Sequence, residues 1–358
     1  MDGKSGEELT GWVDRRAWLR GAVGGAMSGV MSGLVAGCRG AAANELVVYS
    51  ALDREFAAPV LDDFTATTGV VVRASYDVES TKTVGLTQRL LAERERPRCS
   101  LFWNNEILNT LRLQRAGVLR PVKLVAAERF PESFRDLAGH WFGFAARARV
   151  LLVNTQRVAR EEYPQRTEDL LATGWASRFG VAKPLFGTTA THAACLFAAW
   201  GEERAAAYWR GVLERGQVLA GNRQVARAVG AGQLDVGWTD TDDALAELAE
   251  GAPVEIIYPD QGEGDLGVLF IPNTVAAVSG GPGDELAERL MEYLLSAGVE
   301  ARLARGASGQ IPLARDVAER PPVSGPGQVR PWLVDFSQAA DRWDSTATFL
   351  TDLLRRTA

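Results

Sequence analysis

Short apolar runs alternate with segments of helical periodicity along the first third of the chain. Residues 45–50 (ELVVYS) are rich in β-branched and aromatic side chains, which is typical of a strand. Phe56, Val60 and Phe64 follow at the i, i+4, i+8 spacing of one helical face. The same order recurs between residues 70 and 115, so the sequence predicts an α/β fold with doubly wound, mostly parallel sheets.

Two later segments, residues 143–154 (GFAARARVLLVN) and 267–278 (GVLFIPNTVAAV), have the apolar character of long strands, with a second β-α series between them. A two-lobed binding protein with two hinge strands requires such an insertion, because both crossings must bend together when the cleft closes. We predict lobe one at residues 45–148 and lobe two at residues 149–266. Residues 267–358 should return to lobe one and end in helices that pack across it.

The first 44 residues have the layout of a bacterial export signal. Arg15 and Arg16 precede a glycine-rich, mildly apolar run that ends at Cys38. This run is short for a membrane span, which needs about 20 strongly apolar residues. DRRAWLR resembles a twin-arginine signal and LVAGC resembles a lipobox. We therefore expect a signal peptide over residues 1–37, a lipidated Cys38 followed by a tether up to residue 44, and membrane contact through the lipid alone.

Composition adds three expectations. A formal net charge of −6 gives no reason to expect nucleic acid as a partner. A chain of 358 residues exceeds one typical core and indicates two domains, here in a monomer. Cys99 and Cys195 lie far apart without a spacing signature, so we expect two buried free thiols, with a disulfide as the alternative.

Three segments together carry a family resemblance: VVYSALDREFAAPVLDDFTATTGVVV (residues 47–72), SLFWNNEILNTLRLQRAGVLRPV (100–122) and GFAARARVLLVNT (143–155). Their order resembles the periplasmic iron-binding branch of ABC-importer solute-binding proteins, over residue 45 to about residue 312. The resemblance implies a two-lobed periplasmic-binding-protein fold, a location in the periplasm or at the outer face of the cytoplasmic membrane, and no enzymatic activity. The implied partners are an ABC permease and its ATPase.

Ferric receptors of this branch carry one ligand after the first strand, a glutamate after the third, and two adjacent tyrosines in the second lobe. The resemblance places the first position on Asp53 and the second on Asn105 or Glu106. Asp242 and Asp243 stand where the tyrosines would be. Tyrosinate ligation of ferric iron is therefore not supported, and the identity of the ligand stays open.

The acidic run is the first candidate site. Asp240, Asp242 and Asp243 supply hard oxygen donors, which suit iron, manganese or calcium. We predict a metal site of Asp53 and Glu106 from one lobe with Asp242 and Asp243 from the other. The alternative is a plain helix start, with Asp240 as the N-cap and the following carboxylates stabilised by the helix dipole.

Two helix starts rich in hydroxyl groups are the second candidate site. Thr188 and Thr189 precede one apolar helix, and Ser80 and Thr81 precede another. Unpaired amides at such starts bind anions, although each start is alternatively only a cap. The full predicted set of ligand-binding residues is Asp53, Ser80, Thr81, Asn105, Glu106, Thr188, Thr189, Trp238, Asp240, Thr241 and Tyr258.

The function predicted from these features is delivery of a metal cation, alone or with an anion, to a membrane permease. An alternative on the same fold is a binder of a small organic phosphate, a phosphonate or a polyamine. A secreted metal-dependent hydrolase and a scaffold lipoprotein are further alternatives. Against the hydrolase, the sequence has no HExxH, CxxC or GxSxG motif, and its two histidines, His140 and His192, lack the spacing of a zinc site.

Overall fold

The computed structural model describes residues 44–77 and 84–357, and the predicted alternation of strands and helices is present there. The predicted export signal with Cys38, and the helix start at Ser80 and Thr81, lie outside the described residues. Among the described residues, no helix has the length and apolar character needed to cross a membrane.

The strands follow the expected order. They are β1 Glu45–Ser50, β2 Val71–Tyr76, β3 Leu101–Asn104, β4 Leu119–Arg120, β5 Phe142–Asn154, β6 Phe179–Ala182, β7 Gln217–Leu219, β8 Val236–Asp240, β9 Val254–Ile257 and β10 Phe270–Val278. The α-helices are α1 Arg54–Thr68, α2 Val84–Ala92, α3 Leu108–Arg115, α4 Gly187–Arg215, α5 Asn222–Gly230, α6 Thr241–Ala249, α7 Asp284–Leu294, α8 Ala297–Arg305 and α9 Phe336–Thr357.

Two sheets meet along β5. In the first, the order is β2-β1-β3-β10-β5, with β4 beside β10, and β1 runs parallel to both β2 and β3. In the second, the order is β5-β8-β6-β7, with β9 also beside β5, and β6 runs parallel to β7 and β8. The antiparallel strand pairs involve β5 and β10, the strands at which the chain passes between the lobes.

The crossing from lobe one to lobe two lies inside β5. Up to Ala148 this strand pairs with β10, and from Arg149 onward it pairs with β8. Before the crossing, Ala145 has a φ of 44°, a left-handed conformation, and the β5–β10 register shifts between Ile271 and Asn273. The second long strand begins at Phe270 rather than at the predicted residue 267, because Val268 pairs instead with the segment around Pro331. Leu269 then accepts a hydrogen bond from the Arg149 amide at the crossing.

The C-terminal helix differs from the prediction. We expected it to pack across lobe one, but α9 lies along α4 and contacts both lobes. Phe336 and Trp343 pack with lobe-one residues, whereas Leu350 and Leu353 pack with lobe-two residues. A helix of 22 residues is about 33 Å long, so one apolar stripe can cover both lobes. The lobes therefore have a third connection besides the two strands.

Both cysteines behave as predicted from the sequence. Cys99 and Cys195 are buried and free, which confirms the prediction of two unpaired thiols. Burial, with Glu93 nearby, raises the pKa of the Cys99 thiol to about 12. Burial also raises the pKa of Cys195. Neither thiol is activated, because a reactive cysteine needs a stabilised thiolate.

Candidate ligand-binding cleft

A cleft of about 440 Å³ lies between the lobes. Lobe one contributes Asp53, Glu55 and Asn105, and Arg147 reaches the cleft from β5. Lobe two contributes most of the polar lining: Lys183, Thr188, Thr189, Asn222, Arg223, Arg227, Asp240, Asp242 and Asp243. The structure thus brings Asp53, Asn105, both threonines and the acidic run to one cleft.

Three helices of lobe two begin at this cleft. After β6, β7 and β8, helices α4, α5 and α6 begin at Gly187, Asn222 and Thr241. The residues preceding them, Phe186, Gly221 and Asp240, make no side-chain cap hydrogen bond. Helix starts carry unpaired amides and a partial positive charge, so this wall of the cleft is suited to an anion.

A buried ion pair connects these three helix starts. Arg149 Nη1 donates to Asp240 Oδ1 over 2.8 Å. Asp240 Oδ2 accepts from the hydroxyl of Thr188 and from Nδ2 of Asn222, the latter over 3.0 Å. Asp240 occupies the N-cap position proposed from the sequence, but its carboxylate turns to the guanidinium instead of capping α6. Both of its oxygens already accept hydrogen bonds from the protein, which stabilises the site.

The other two acidic residues of the run also lie beside arginines. Arg147 Nε lies 3.2 Å from Asp242 Oδ2, and Arg223 Nη1 lies 4.0 Å from Asp243 Oδ1. Burial disfavours the charged form of Arg147, yet the carboxylates, Asp242 and Asp240 foremost, raise its pKa above the ordinary value. Single donor oxygens of Asp240, Asp242 and Asp243 lie within 4.8 Å of one another, so the cluster has the dimensions of a cation site.

Glu106 is a correction to the predicted metal site. Its carboxylate is fully buried, outside the cleft lining, and accepts from the amides of Leu108 and Asn109 at the start of α3. Thr191 Oγ1 donates to it from α4 over 2.8 Å. Burial raises the pKa of Glu106. With its oxygens used in this way, Glu106 connects α3 to α4 and is not placed to bind a cleft ligand.

Three other residues predicted to bind the ligand serve packing and also lie outside the cleft lining. Trp238 donates to the hydroxyl of Tyr208 over 3.2 Å. Thr241 Oγ1 accepts from the Ala148 amide over 3.1 Å, and the Tyr258 hydroxyl accepts from the Ser324 amide over 2.7 Å. Sequence position at a strand end did not distinguish a side chain that faces the cleft from one that faces the core.

His192 is a core residue. It packs edge-on against Trp238, with 4.8 Å between ring centroids. Burial, reinforced by the charge of Arg149, holds the pKa of His192 well below its ordinary value, so the ring is neutral. Because the ring is neutral and enclosed, His192 contributes to the packing of the core.

Sequence reasoning missed the cationic half of the cleft. Arg147 is 3% exposed and Arg149 is 1% exposed, at alternate positions of an otherwise apolar strand. That pattern was the available signal, because arginine is rarely buried without a partner. Asn222 and Lys183 were also missed, since each lies in a short polar segment without a distinctive pattern.

Comparisons with known proteins agree with this architecture. "Iron uptake protein A1" of Synechocystis sp. is 28% identical over 255 residues, 68% of each chain. The "Fe(3+)-binding periplasmic protein" of Serratia marcescens is 24% identical over 202 residues, but the match spans only 58% of that protein. A "Putative 2-aminoethylphosphonate-binding periplasmic protein" of Salmonella paratyphi A is 25% identical over 267 residues, 72% of this chain and 73% of that one.

A solved structure and a family model complete the comparison. Iron-bound HitA from Pseudomonas aeruginosa superimposes with a TM-score of 0.79, covering 86% of this chain and 99% of that one at 19% identity. This likeness confirms the two-lobed periplasmic-binding-protein fold predicted from the sequence. The family model described as "Bacterial extracellular solute-binding protein" matches residues 110–332, more than half of the chain. On that match, the chain belongs to the family of bacterial extracellular solute-binding proteins.

Proposed function

We propose that this chain is the solute-binding component of an ABC importer, and that its cargo is a hard cation of the ferric type bound together with an anionic oxygen ligand. The observation that carries this proposal is that carboxylates from both lobes and three helix N-termini line one cleft. Closing the lobes on such a cargo presents it to a permease and its ATPase.

The cation half of the proposal rests on Asp53, Asp242 and Asp243. They face one cleft from opposite lobes, and hard cations such as ferric iron prefer oxygen ligands. Among the residues that the structure describes, no tyrosine lines the cleft. Charge neutralisation of a trivalent ion therefore falls to carboxylates and to an accompanying anion.

The anion half rests on the start of α4. The backbone amides at this helix start, together with the Lys183 ammonium group, are suited to carboxylate or phosphate oxygens, while the Thr188 and Thr189 hydroxyls donate to Asp240 and Asn222. Asn105 faces the same space from lobe one, and its buried Oδ1 has no hydrogen-bond partner among the described residues. A hydroxyl group on the anionic ligand would satisfy that oxygen.

The relatives support the choice of cargo. Two of the three sequence relatives described above are named for iron, and the third is named for an aminophosphonate. We propose from the sequence that the protein works at the outer face of the cytoplasmic membrane or in the periplasm, anchored through Cys38.

A small organic phosphate or phosphonate is the second candidate cargo. The specific observation is the pairing of Thr188 and Thr189 with Asn222, which orders hydroxyl groups at a helix start. Asp53 and Glu55 lie on the opposite wall, where an amino group of the same ligand would be favoured.

Calorimetry with the purified chain separates the two cargoes, using ferric citrate, citrate alone and 2-aminoethylphosphonate. Elemental analysis of the protein as isolated accompanies the titrations. We expect ferric citrate to bind at least tenfold more tightly than citrate, and Asp242→Asn/Asp243→Asn to lose that difference. Tight binding of the phosphonate without metal would replace the first candidate by the second. Binding of none of the three contradicts both.

A further inference from the structure

Arg147 occupies an unusual place for a charged side chain. It lies in the crossing strand β5, is 3% exposed, and yet lines the cleft. Its Nη1 donates to the backbone oxygen of Asn105 over 3.0 Å, and Nη2 donates to Asn273 Oδ1 over 3.4 Å, both in lobe one. The side chain is thus held from lobe one and directed at the acidic run of lobe two.

The third nitrogen of this guanidinium faces the acidic run. Nε lies 3.2 Å from Asp242 Oδ2, but it makes no hydrogen bond among the described residues. The contact is one of charge alone. A buried N–H without a hydrogen-bond acceptor favours a ligand oxygen that can supply one.

All three carboxylates of the acidic run lie near arginines. Asp240 is paired with Arg149, Asp242 with Arg147, and Asp243 lies 4.0 Å from Arg223. Each carboxylate of the acidic run therefore already has a positive neighbour from the protein itself. A bare cation entering beside Asp242 would meet the guanidinium of Arg147, whereas an anionic oxygen would be attracted to it.

We infer that Arg147 is a specificity-determining residue that rejects free cations and admits a cation only when an anion accompanies it. The guanidinium takes the place of a cation beside Asp242 while the cleft is empty. When the cargo binds, an anionic oxygen of the cargo contacts Arg147 while the metal contacts the carboxylates. This inference rests on the proposed function, since it concerns the composition of the same cargo.

A purely structural role for Arg147 has a different consequence. If its contacts with Asn105 and Asn273 only stabilise the crossing strand, removing it would weaken the binding of every cleft ligand alike. If it discriminates by charge, removing it changes the affinities for a free cation and for an anionic complex in opposite directions.

The test is calorimetry of the purified full chain with terbium(III), a free hard cation, with ferric citrate, and with citrate alone. Arg147→Met keeps the unbranched stem of the side chain as far as the position of Nε and removes the charged end of the guanidinium. We expect it to bind terbium at least tenfold more tightly than the wild type and ferric citrate at least threefold more weakly. Arg129→Met is the control, since the Arg129 side chain is 22% exposed and, like that of Arg147, lies beside a carboxylate, here Asp316 outside the cleft lining. It should change neither affinity by more than twofold.

A second variant tests the role of Arg147 if Arg147→Met fails to fold. Asp242→Asn removes the partner of the guanidinium at a partly exposed helix start, so citrate alone should bind at least threefold more tightly. Unchanged citrate binding by Asp242→Asn, or terbium binding by Arg147→Met that equals the wild type, would overturn the inference. Failure of the proposed function is seen separately, as a wild-type chain that does not bind ferric citrate.

Discussion

Arg149 and Asp240 form an ion pair that is almost completely enclosed, with side-chain exposures of 1% and 4%. They are direct partners in the register between β5 and β8. Arg149 Nη1 also donates to Asn222 Oδ1 over 3.1 Å and lies within 3.4 Å of the Thr188 hydroxyl. One guanidinium therefore holds the starts of α4, α5 and α6 in place around the cleft.

Breaking this pair should be costly. Asp240→Asn leaves the Arg149 charge buried without its carboxylate, and we expect a loss of about 3 kcal/mol in the free energy of unfolding. Glu168→Gln is the control, because its pair with Arg204 is exposed, at 47% and 54%, and should contribute less than about 1 kcal/mol. Urea denaturation measures both. Similar losses in the two variants would contradict the role given to Arg149 and Asp240.

Glu106 predicts a pH dependence of stability. Burial raises its pKa in the folded protein above the ordinary value of 4.5. Between these two pKa values the folded state binds a proton that the unfolded chain has released, so stability falls as pH rises through this window. In urea denaturation from pH 4.5 to 7, Glu106→Gln should show a smaller fall than the wild type.

The control for this experiment is Glu202→Gln, at an exposed position of α4. It should reproduce the wild-type pH dependence, because an exposed carboxyl keeps its solvation on unfolding. A Glu106→Gln curve parallel to the wild type across the whole range would show that Glu106 titrates as an ordinary glutamate.

Ligand binding should make the molecule more compact. The lobes are connected by β5 at Ala148 and Arg149 and by the return segment at Leu269, and bending there would close the cleft. Small-angle scattering with saturating ferric citrate should give a smaller radius of gyration than without it. Asp242→Asn/Asp243→Asn should need a higher concentration of ferric citrate for the same change, and an unchanged radius in the wild type at saturation would exclude closure.

We propose twin-arginine export and anchoring at Cys38 from the sequence of the first residues. Replacing Arg15 and Arg16 by lysine should leave precursor in the cytoplasm, because twin-arginine export depends on both side chains. Cys38→Ala should release soluble protein, since the lipid would have no attachment point. Cell fractionation with immunoblotting measures both effects. Membrane association and normal processing in both variants would contradict this part of the proposal.

Local patterns predicted the elements well. Val60 and Phe64 are buried on one face of α1, and the apolar residues of β5 are buried throughout. Gly69 ends α1 in a left-handed conformation, with a φ of 73°. The apolar residues of a buried face recur with the period of the helix or strand, so such a face can be recognised within a few residues of sequence.

The ligand-binding side of the cleft was less accessible to such reasoning. Glu106 lies just before α3, and Asp242 lies in the first turn of α6. Both carry a carboxylate near a helix start, yet Glu106 is enclosed by amides and Asp242 faces the cleft. Likewise, α9 shows an apolar stripe, but its sequence does not say which lobes receive it.

Local patterns were enough to predict the strands, the helices, the alternation that produces two α/β lobes, and the group of acidic and hydroxyl residues from which a site could form. How the charged side chains pair depends on contacts between distant segments. Arg149 and Asp240 are 91 positions apart and meet only because β5 and β8 pair in one register. Arg147 reaches Asp242 because β5 crosses beside α6. The periodicity of apolar residues indicates which face of a strand or helix is buried. The pairing of two buried charges depends instead on which distant strands become neighbours in the sheet.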